Sequence, residues 1–304
     1  MNYYNEIKNK LIDNKVYKKV KDYSKNRNDL STYYEVGKLL IKAQGGEERA
    51  KYGDNLIKEY SERLFNDTGR KYDITALKRI RQFYLVVEKG VPLAHQLTWS
   101  HYCELLPLKD INEINYYVKI TIEQCLSKRQ LRERIRNKEY QRLDDKTKLK
   151  LINKEEIDIK DNIKNPIIIK NKLDIDKEIV SEKILQRLIL EDIPSFLEEL
   201  GTGYSFIKNE YKIKLGERYN YIDLLLFNIE YNCYVVVELK VIELKKEHIG
   251  QIQIYMNYID NSLRKLTQDK TIGLIICKKD NKYVIEYSSD KRILSREYEL
   301  INTN

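Results

Sequence analysis

The 304-residue sequence predicts two domains of different class, an all-α domain followed by an α/β domain. Three observations point to this. Apolar residues recur three and four apart through the first 142 positions, the spacing of amphipathic helices. Beyond residue 200 the pattern turns to continuous apolar runs such as YVVVEL and IGLIIC, expected of strands covered on both faces. Charge divides the same way: residues 1–150 hold 32 Lys+Arg and 21 Asp+Glu, residues 151–304 hold 24 and 26.

In the first part, YYEVGKLLIKAQ and GDNLIKEYSERLFND read as helices with charge between their apolar positions. Asp73 can cap ITALKRIRQFYLVV, placing Leu77, Ile80 and Phe83 or Tyr84 on one inward face. Asp110 with Glu113, and Ser127 with Gln130, have capping-box spacing. A basic helix, KRQLRERIRNKEYQRL, closes the domain near residue 142. From 143 to 174 charges and Asn are scattered around Pro166 without lasting period, so this stretch reads as a charged linker.

The second domain, 175–304, begins with a helix over about 179–200 that stops at Gly201. Strands follow at SFIKNEYKIKL, YNYIDLLLFN and NCYVVVELK, then a helix KEHIGQIQIYMNYID. TIGLIICKK, KYVIEYS and SREYEL complete the strand set.

Several classes are excluded. No apolar run approaches a membrane span, and MNYYNEIKNK is too polar for a secretory signal. Cys103, Cys125, Cys233 and Cys277 form no C-x-x-C pair, which argues against a disulfide framework or a four-cysteine zinc site. A reducing cytoplasm is the expected location.

Acids interrupt the apolar strands at two places. Asp223 lies between Tyr221-Ile222 and three leucines, and Glu238 follows three valines with Lys240 two positions on. Alternation in a strand sends Glu238 and Lys240 to the same side. Two carboxylates brought together need a cation between them, and hard oxygen ligands suit Mg²⁺. Strand ends in solvent, with Lys240 as an ion-pair partner, would give the same spacing.

The D-x(14)-E-x-K pattern on a hairpin behind an acidic helix resembles the PD-(D/E)XK nuclease superfamily, and within it the bacterial YhcG-like nucleases. YNYIDLLLFNIEYNCYVVVELK and KEHIGQIQIYMNYID carry that resemblance in the second domain. YYEVGKLLIKAQGGEERAKYGDNLIKEYSERL, ITALKRIRQFY and LTWSHYCELL carry it in the first. It implies a restriction-endonuclease-like fold, a central mixed sheet flanked by helices, and metal-dependent DNA hydrolysis. Asp223 and Glu238 then correspond to metal-binding carboxylates, Lys240 to the catalytic lysine and Glu191 to the helical acid at the metal. Gln251 and Tyr255 resemble a Q-x(3)-Y element contacting phosphate or substrate. The sequence departs from the family in having Ile222 where Pro is usual before the first acid, and Ile242 and Glu243 after the lysine.

His248, near the start of its helix, is a further candidate for substrate contact, beside a helix-start role. Lys78, Arg79, Arg81 and Gln82 lie largely opposite the apolar face of their helix, as in a helix-turn-helix recognition helix, and are expected to contact DNA. Arg132, Arg134 and Arg136 form a second basic cluster, and Trp99 is expected to be a packing anchor. The expectation is a DNA endonuclease using Mg²⁺, with Mn²⁺ an alternative, possible homodimerisation, and a setting in DNA defence or recombination. The alternative is a non-catalytic DNA- or partner-binding protein that keeps the nuclease fold as scaffold.

Overall fold

The computed structural model describes residues 3–20, 25–46, 54–69 and 71–302. It divides into two compact units, 1–140 and 141–304. Residues 47–53, within one family-like stretch quoted above, lie outside the described set.

The described part of the first unit is helical: α1 Tyr3–Val20, α2 Lys25–Ala43, α3 Asp54–Thr68, α4 Ile74–Glu88, α5 Trp99–Leu105, α6 Ile111–Glu123 and α7 Lys128–Arg136. Ile7, Leu40, Ile57, Leu64, Leu77 and Ile80 meet in its core. α4 lies close to α2 at Gly37, where a Cβ would come 2.5 Å from the Ile80 carbonyl oxygen. Asp73 accepts the Ala76 N–H at 2.7 Å and so starts α4. Ser127 and Gln130 form the expected box at α7. That helix ends sooner than its periodicity predicts, because Lys138 takes a left-handed φ of 51° and Arg134 turns to the buried Glu139 at 2.9 Å. Trp99 is a packing anchor, its ring 4.7 Å from Tyr33 and 5.4 Å from Phe83.

The second unit is a six-stranded mixed sheet in the order β1-β6-β5-β4-β3-β2. Its strands are β1 Ile167–Asn171, β2 Tyr204–Leu215, β3 Arg218–Asn228, β4 Cys233–Glu243, β5 Ile272–Lys279 and β6 Ile293–Asn302. β2, β3 and β4 are antiparallel neighbours; β4, β5, β6 and β1 run parallel. α8 (Asp145–Asn153) opens the unit, and α9 (Glu182–Glu191) and α10 (Ile193–Leu200) cover one face, where Leu224, Leu226, Val235, Val237 and Leu239 point. α11 (Lys246–Ser262) covers the other, over Leu225, Val236 and Ile275. The strand that β4 presents is thus apolar on both faces, as its sequence requires.

Three expectations are corrected. Residues 143–174 are not a linker: Ile159, Ile163, Ile167 and Ile169 are buried in the sheet's core, and β1 pairs with β6. Backbone carbonyls between them are satisfied by two arginines. Arg296 donates to the Ile163 carbonyl at 2.9 Å and to Asp144 at 3.1 Å, and Arg142 donates to the Pro166 carbonyl at 2.6 Å and to Glu199. The helix over 179–200 is broken in two, since Pro194 cannot continue a helical ladder and Asp192 instead accepts the Ser195 N–H to start α10. KYVIEYS is not a strand: β5 and β6 are parallel, so the chain between them must return along the sheet, and α12 (Lys282–Glu286) occupies that return.

Burying one isoleucine side chain is worth roughly 1.5–3 kcal/mol, so four amount to a total close to the stability of a whole domain. A fragment 141–304 is expected to unfold cooperatively, whereas 175–304 will show no thermal transition by circular dichroism. A cooperative transition in the shorter fragment would restore the linker assignment.

Candidate active site

The site forms where β3 and β4 part. Their ladder pairs Leu224 with Val237 and goes no further toward Ile222. At that point the Leu239 N–H donates to Asp223 Oδ2 at 2.7 Å. A side chain has taken the place of the next backbone acceptor. Glu238 and Lys240, both on β4, are 2% and 8% exposed. The Lys240 ammonium stands 3.6 Å from Glu238 Oε2 and 3.4 Å from Glu182 Oε2. Gln186 Nε2 donates to the Asp223 carbonyl at 3.0 Å.

Electrostatically the pair is strained. Burial, then the neighbouring Asp223 charge, pushes the Glu238 carboxyl up to about 8, against the smaller opposing pull of Lys240. Burial also raises Asp223, offset in part by the Leu239 N–H and by Lys240. Glu238 Oε1 is buried with no hydrogen-bond partner. An orphaned carboxylate oxygen beside a second carboxylate is a donor set that fits a hard divalent cation. Among the described residues no group of three or more His, Cys, Asp or Glu forms a fuller ligand set. Two carboxylates are what Mg²⁺ ordinarily takes from a protein when phosphate and water supply the rest.

Glu191 lies away from Glu182 on the same helix. It ends α9, nine residues beyond Glu182, which is about 13.5 Å along the axis and half a turn around it. It pairs with Arg187 on its own helix, at 3.8 Å. The acid that α9 brings to the site is Glu182. Sequence reasoning missed it and Gln186, although the buried stripe Leu185, Leu188, Ile189 marks the inward face on which both fall.

α11 contributes Gln251, whose Nε2 donates to the Tyr255 hydroxyl at 3.1 Å. Tyr255 is buried, and burial raises its pKa with a further push from Glu238 and Asp223. His248 accepts the Lys245 N–H on Nδ1 at 3.2 Å, a helix-start role. Its ring proton therefore sits on Nε2, and burial, then Lys240, lowers its pKa.

In the helical unit, Gln82 is committed to the Leu106 carbonyl and Arg81 donates to Gln44 at 3.1 Å. Arg79 is exposed and Lys78 half-buried. Arg132 is held by Glu104 at 2.8 and 2.9 Å, and Arg134 by Glu139. The full excess of positive charge lies in this unit: 28 Lys+Arg and 19 Asp+Glu in residues 1–140, against 28 and 28 in 141–304.

Two family models match the chain. The YhcG PDDEXK nuclease domain matches residues 160–303, and the DUF1016 N-terminal domain matches residues 8–142. Residues 160–303 thus carry a YhcG PDDEXK nuclease domain and residues 8–142 a DUF1016 N-terminal domain. The chain is 26% identical to "Putative nuclease YhcG" of Escherichia coli (strain K12), over 89% of this chain and 83% of that protein. Among solved structures, a repair endonuclease from Pyrococcus abyssi is similar over 40% of this chain and 47% of its own, with 16% identity and a TM-score of 0.28. A structure of an EndoMS–dsDNA complex is similar over 40% and 44%, with 19% identity and a TM-score of 0.28. The family match starts at residue 160, inside the stretch that charge alone marks as linker.

The Glu238 carboxyl gives a pH test. Its folded pKa lies above its unfolded value near 4.5, so the folded state holds the proton more tightly. Stability from this group is then full below about pH 4.5 and is lost as pH rises toward 8. In EDTA, the Tm of the wild type is expected to fall relative to Glu238→Gln between pH 5 and 8.5. Parallel Tm profiles would show that Glu238 is ionised without a cation.

Proposed function

We propose that the chain is a divalent-metal-dependent deoxyribonuclease that hydrolyses phosphodiester bonds, with the basic helical unit positioning DNA. The observation that carries this is Glu238, a buried carboxylate with one oxygen unpartnered beside Asp223 and Lys240. Asp223 and Glu238 would hold the cation, Mg²⁺ or Mn²⁺. When bound, it supplies Lewis acidity and lowers the pKa of water. The backbone N–H of Leu239 fixes the Asp223 carboxylate, and Gln186 fixes the strand that carries it. Lys240, kept in place by Glu182 and Glu238, would donate to a phosphate oxygen as charge builds on it. Tyr255, its hydroxyl oriented by Gln251, and His248, through Nε2–H, can donate to non-bridging oxygens. Lys78 and Arg79, on the outer side of α4, would contact DNA phosphates; Arg81 and Gln82 are engaged within their own unit. DNA as substrate, a possible homodimer and a cytoplasmic setting complete the proposal. No helix among the described residues is long and apolar enough to cross a membrane.

The test is cleavage of linear, supercoiled and branched DNA by purified protein, with Mg²⁺, Mn²⁺ or EDTA. Lys240→Ala is expected to lower the rate at least 100-fold, as losing a transition-state charge donor does, with DNA binding kept. Binding without cleavage in either metal would leave the scaffold reading. On α9, Glu182→Gln should slow cleavage at least tenfold, and Glu191→Gln should stay within about twofold of wild type, a contrast in line with one charge-assisted contact. Equal losses in both variants would return the helical acid to Glu191.

A further inference from the structure

Beyond Asp223 the β2–β3 hairpin leaves the sheet as a two-stranded ribbon. Residues 211–215 of β2 pair with 218–222 of β3, and none of these has a partner on β4. One side of this ribbon is core. Ile213 and Ile222 are 1% and 0% exposed, packed with the residues under α11. The opposite side is open and carries Tyr219, Tyr221, Lys212 and Lys214. Tyr219 is 56% exposed and Tyr221 53%. Register sets Lys212 across from Tyr221, and Lys214 across from Tyr219. The Lys212 ammonium lies 3.8 Å from the Tyr219 ring centroid, which fixes them on one side.

Along β3, Tyr221 is two residues from Asp223 and Tyr219 four, about 7 and 14 Å along the strand. The ladder is ordered by charge. Glu210, whose charge acts on Asp223, is acidic at the end near the cation site, and the two lysines lie outward of it along β2. Charged residues alone on an outer strand are ordinary protection against edge-to-edge pairing. Two large aromatic rings more than half exposed beside them are not, since they place apolar area in water.

We propose that this ribbon is a stacking platform for the unpaired bases of a single-stranded DNA segment next to the scissile phosphate, with Lys212 and Lys214 on its backbone. The substrate class is then DNA with a single-stranded stretch adjoining the cut, not uninterrupted duplex. Aromatic faces read unpaired bases because a base within a duplex is already stacked on its neighbours, and stacking on tyrosine is tolerant of sequence. On binding, the Lys212 ammonium exchanges the Tyr219 ring for a phosphate, so part of the platform is already formed in the free protein. This inference rests on the nuclease proposal above for its scissile phosphate, and its test is separable from it.

The experiment measures fluorescence anisotropy of the full chain, in EDTA, with a labelled oligothymidylate and with a blunt duplex. Tyr219→Ala/Tyr221→Ala is expected to weaken oligothymidylate binding by tenfold or more, as removal of stacked aromatic partners does, and leave duplex binding within twofold. Tyr219→Phe/Tyr221→Phe keeps the rings and should bind as wild type. Lys212→Gln/Lys214→Gln should reduce the salt dependence of single-strand binding. Each tyrosine projects from the side opposite the buried isoleucines, and an unchanged melting temperature verifies the fold. Oligothymidylate binding that survives the double Ala change, or falls equally in the Phe variant, overturns the platform. Because binding is read without metal, a chain that cuts no DNA could still show the platform, and a chain that cuts well could still lack it.

Discussion

The second unit is organised around a carboxylate that has no good place to put its charge. Glu238 is surrounded by the sheet's interior, faces Asp223, and has only one of its oxygens near a cation. In a low-dielectric setting two such acids cannot both ionise without compensation, and the nearby Lys240 ammonium is shared with Glu182. The folded chain alone therefore favours a protonated Glu238. A divalent cation reverses that balance, and cation binding must displace the proton. The surroundings of the pair follow from this constraint: the Leu239 N–H on Asp223, Gln186 on the Asp223 carbonyl, and Glu182 reaching in from the first turn of α9.

Much of this was legible in the sequence. Strands β3 to β5 contain uninterrupted apolar runs and helix α11 a helical period, and an acid inside such a run has few structural reasons to be there. Asp223, Glu238 and Lys240 stand out on that ground alone. Glu182 does not, because a glutamate in the first turn of a helix is ordinary, and Glu191 at the other end looks equivalent. Only the phase of Leu185, Leu188 and Ile189 separates them by half a turn. His248 shows the opposite difficulty: the same position serves a helix start and borders the site, and sequence cannot separate the two uses.

The segment 143–174 was illegible for a different reason. Its isoleucines are separated by Lys, Asp, Glu and Asn, a composition that ordinarily stays in solvent. What brings it in is long-range: Arg296 on β6 and Arg142 ahead of α8 satisfy its carbonyls and acids, and β6 offers an unpaired parallel edge. A buried arginine more than a hundred residues away, Arg296, leaves no local trace. KYVIEYS fails likewise, since its valine, isoleucine and tyrosines favour a strand until the parallel direction of β6 forbids one there. Local propensity decided the elements wherever one face was plainly apolar, and topology decided the rest.

The departure of β3 from β4 connects the chemistry to the surface that would receive a substrate. Within the sheet, Leu224 to Asn228 are held on both sides, by β2 and by β4. Asp223 ends that arrangement by giving its side chain, not a backbone carbonyl, to the Leu239 N–H. Past that point β3 keeps only β2, twists as two-stranded ribbons do, and rests one side on the core under α11. Among the described residues no element covers its other side, where Tyr219 and Tyr221 are exposed. One residue therefore fixes the carboxylate and opens the strands, so that a ligand lying along the exposed ribbon would reach the site at Asp223. Replacing Asp223 would disturb ladder geometry as well as chemistry, whereas changes at Tyr219 and Tyr221 touch neither. That asymmetry makes the outer ribbon the part of the unit free to vary with the form of the substrate while the acid pair stays fixed.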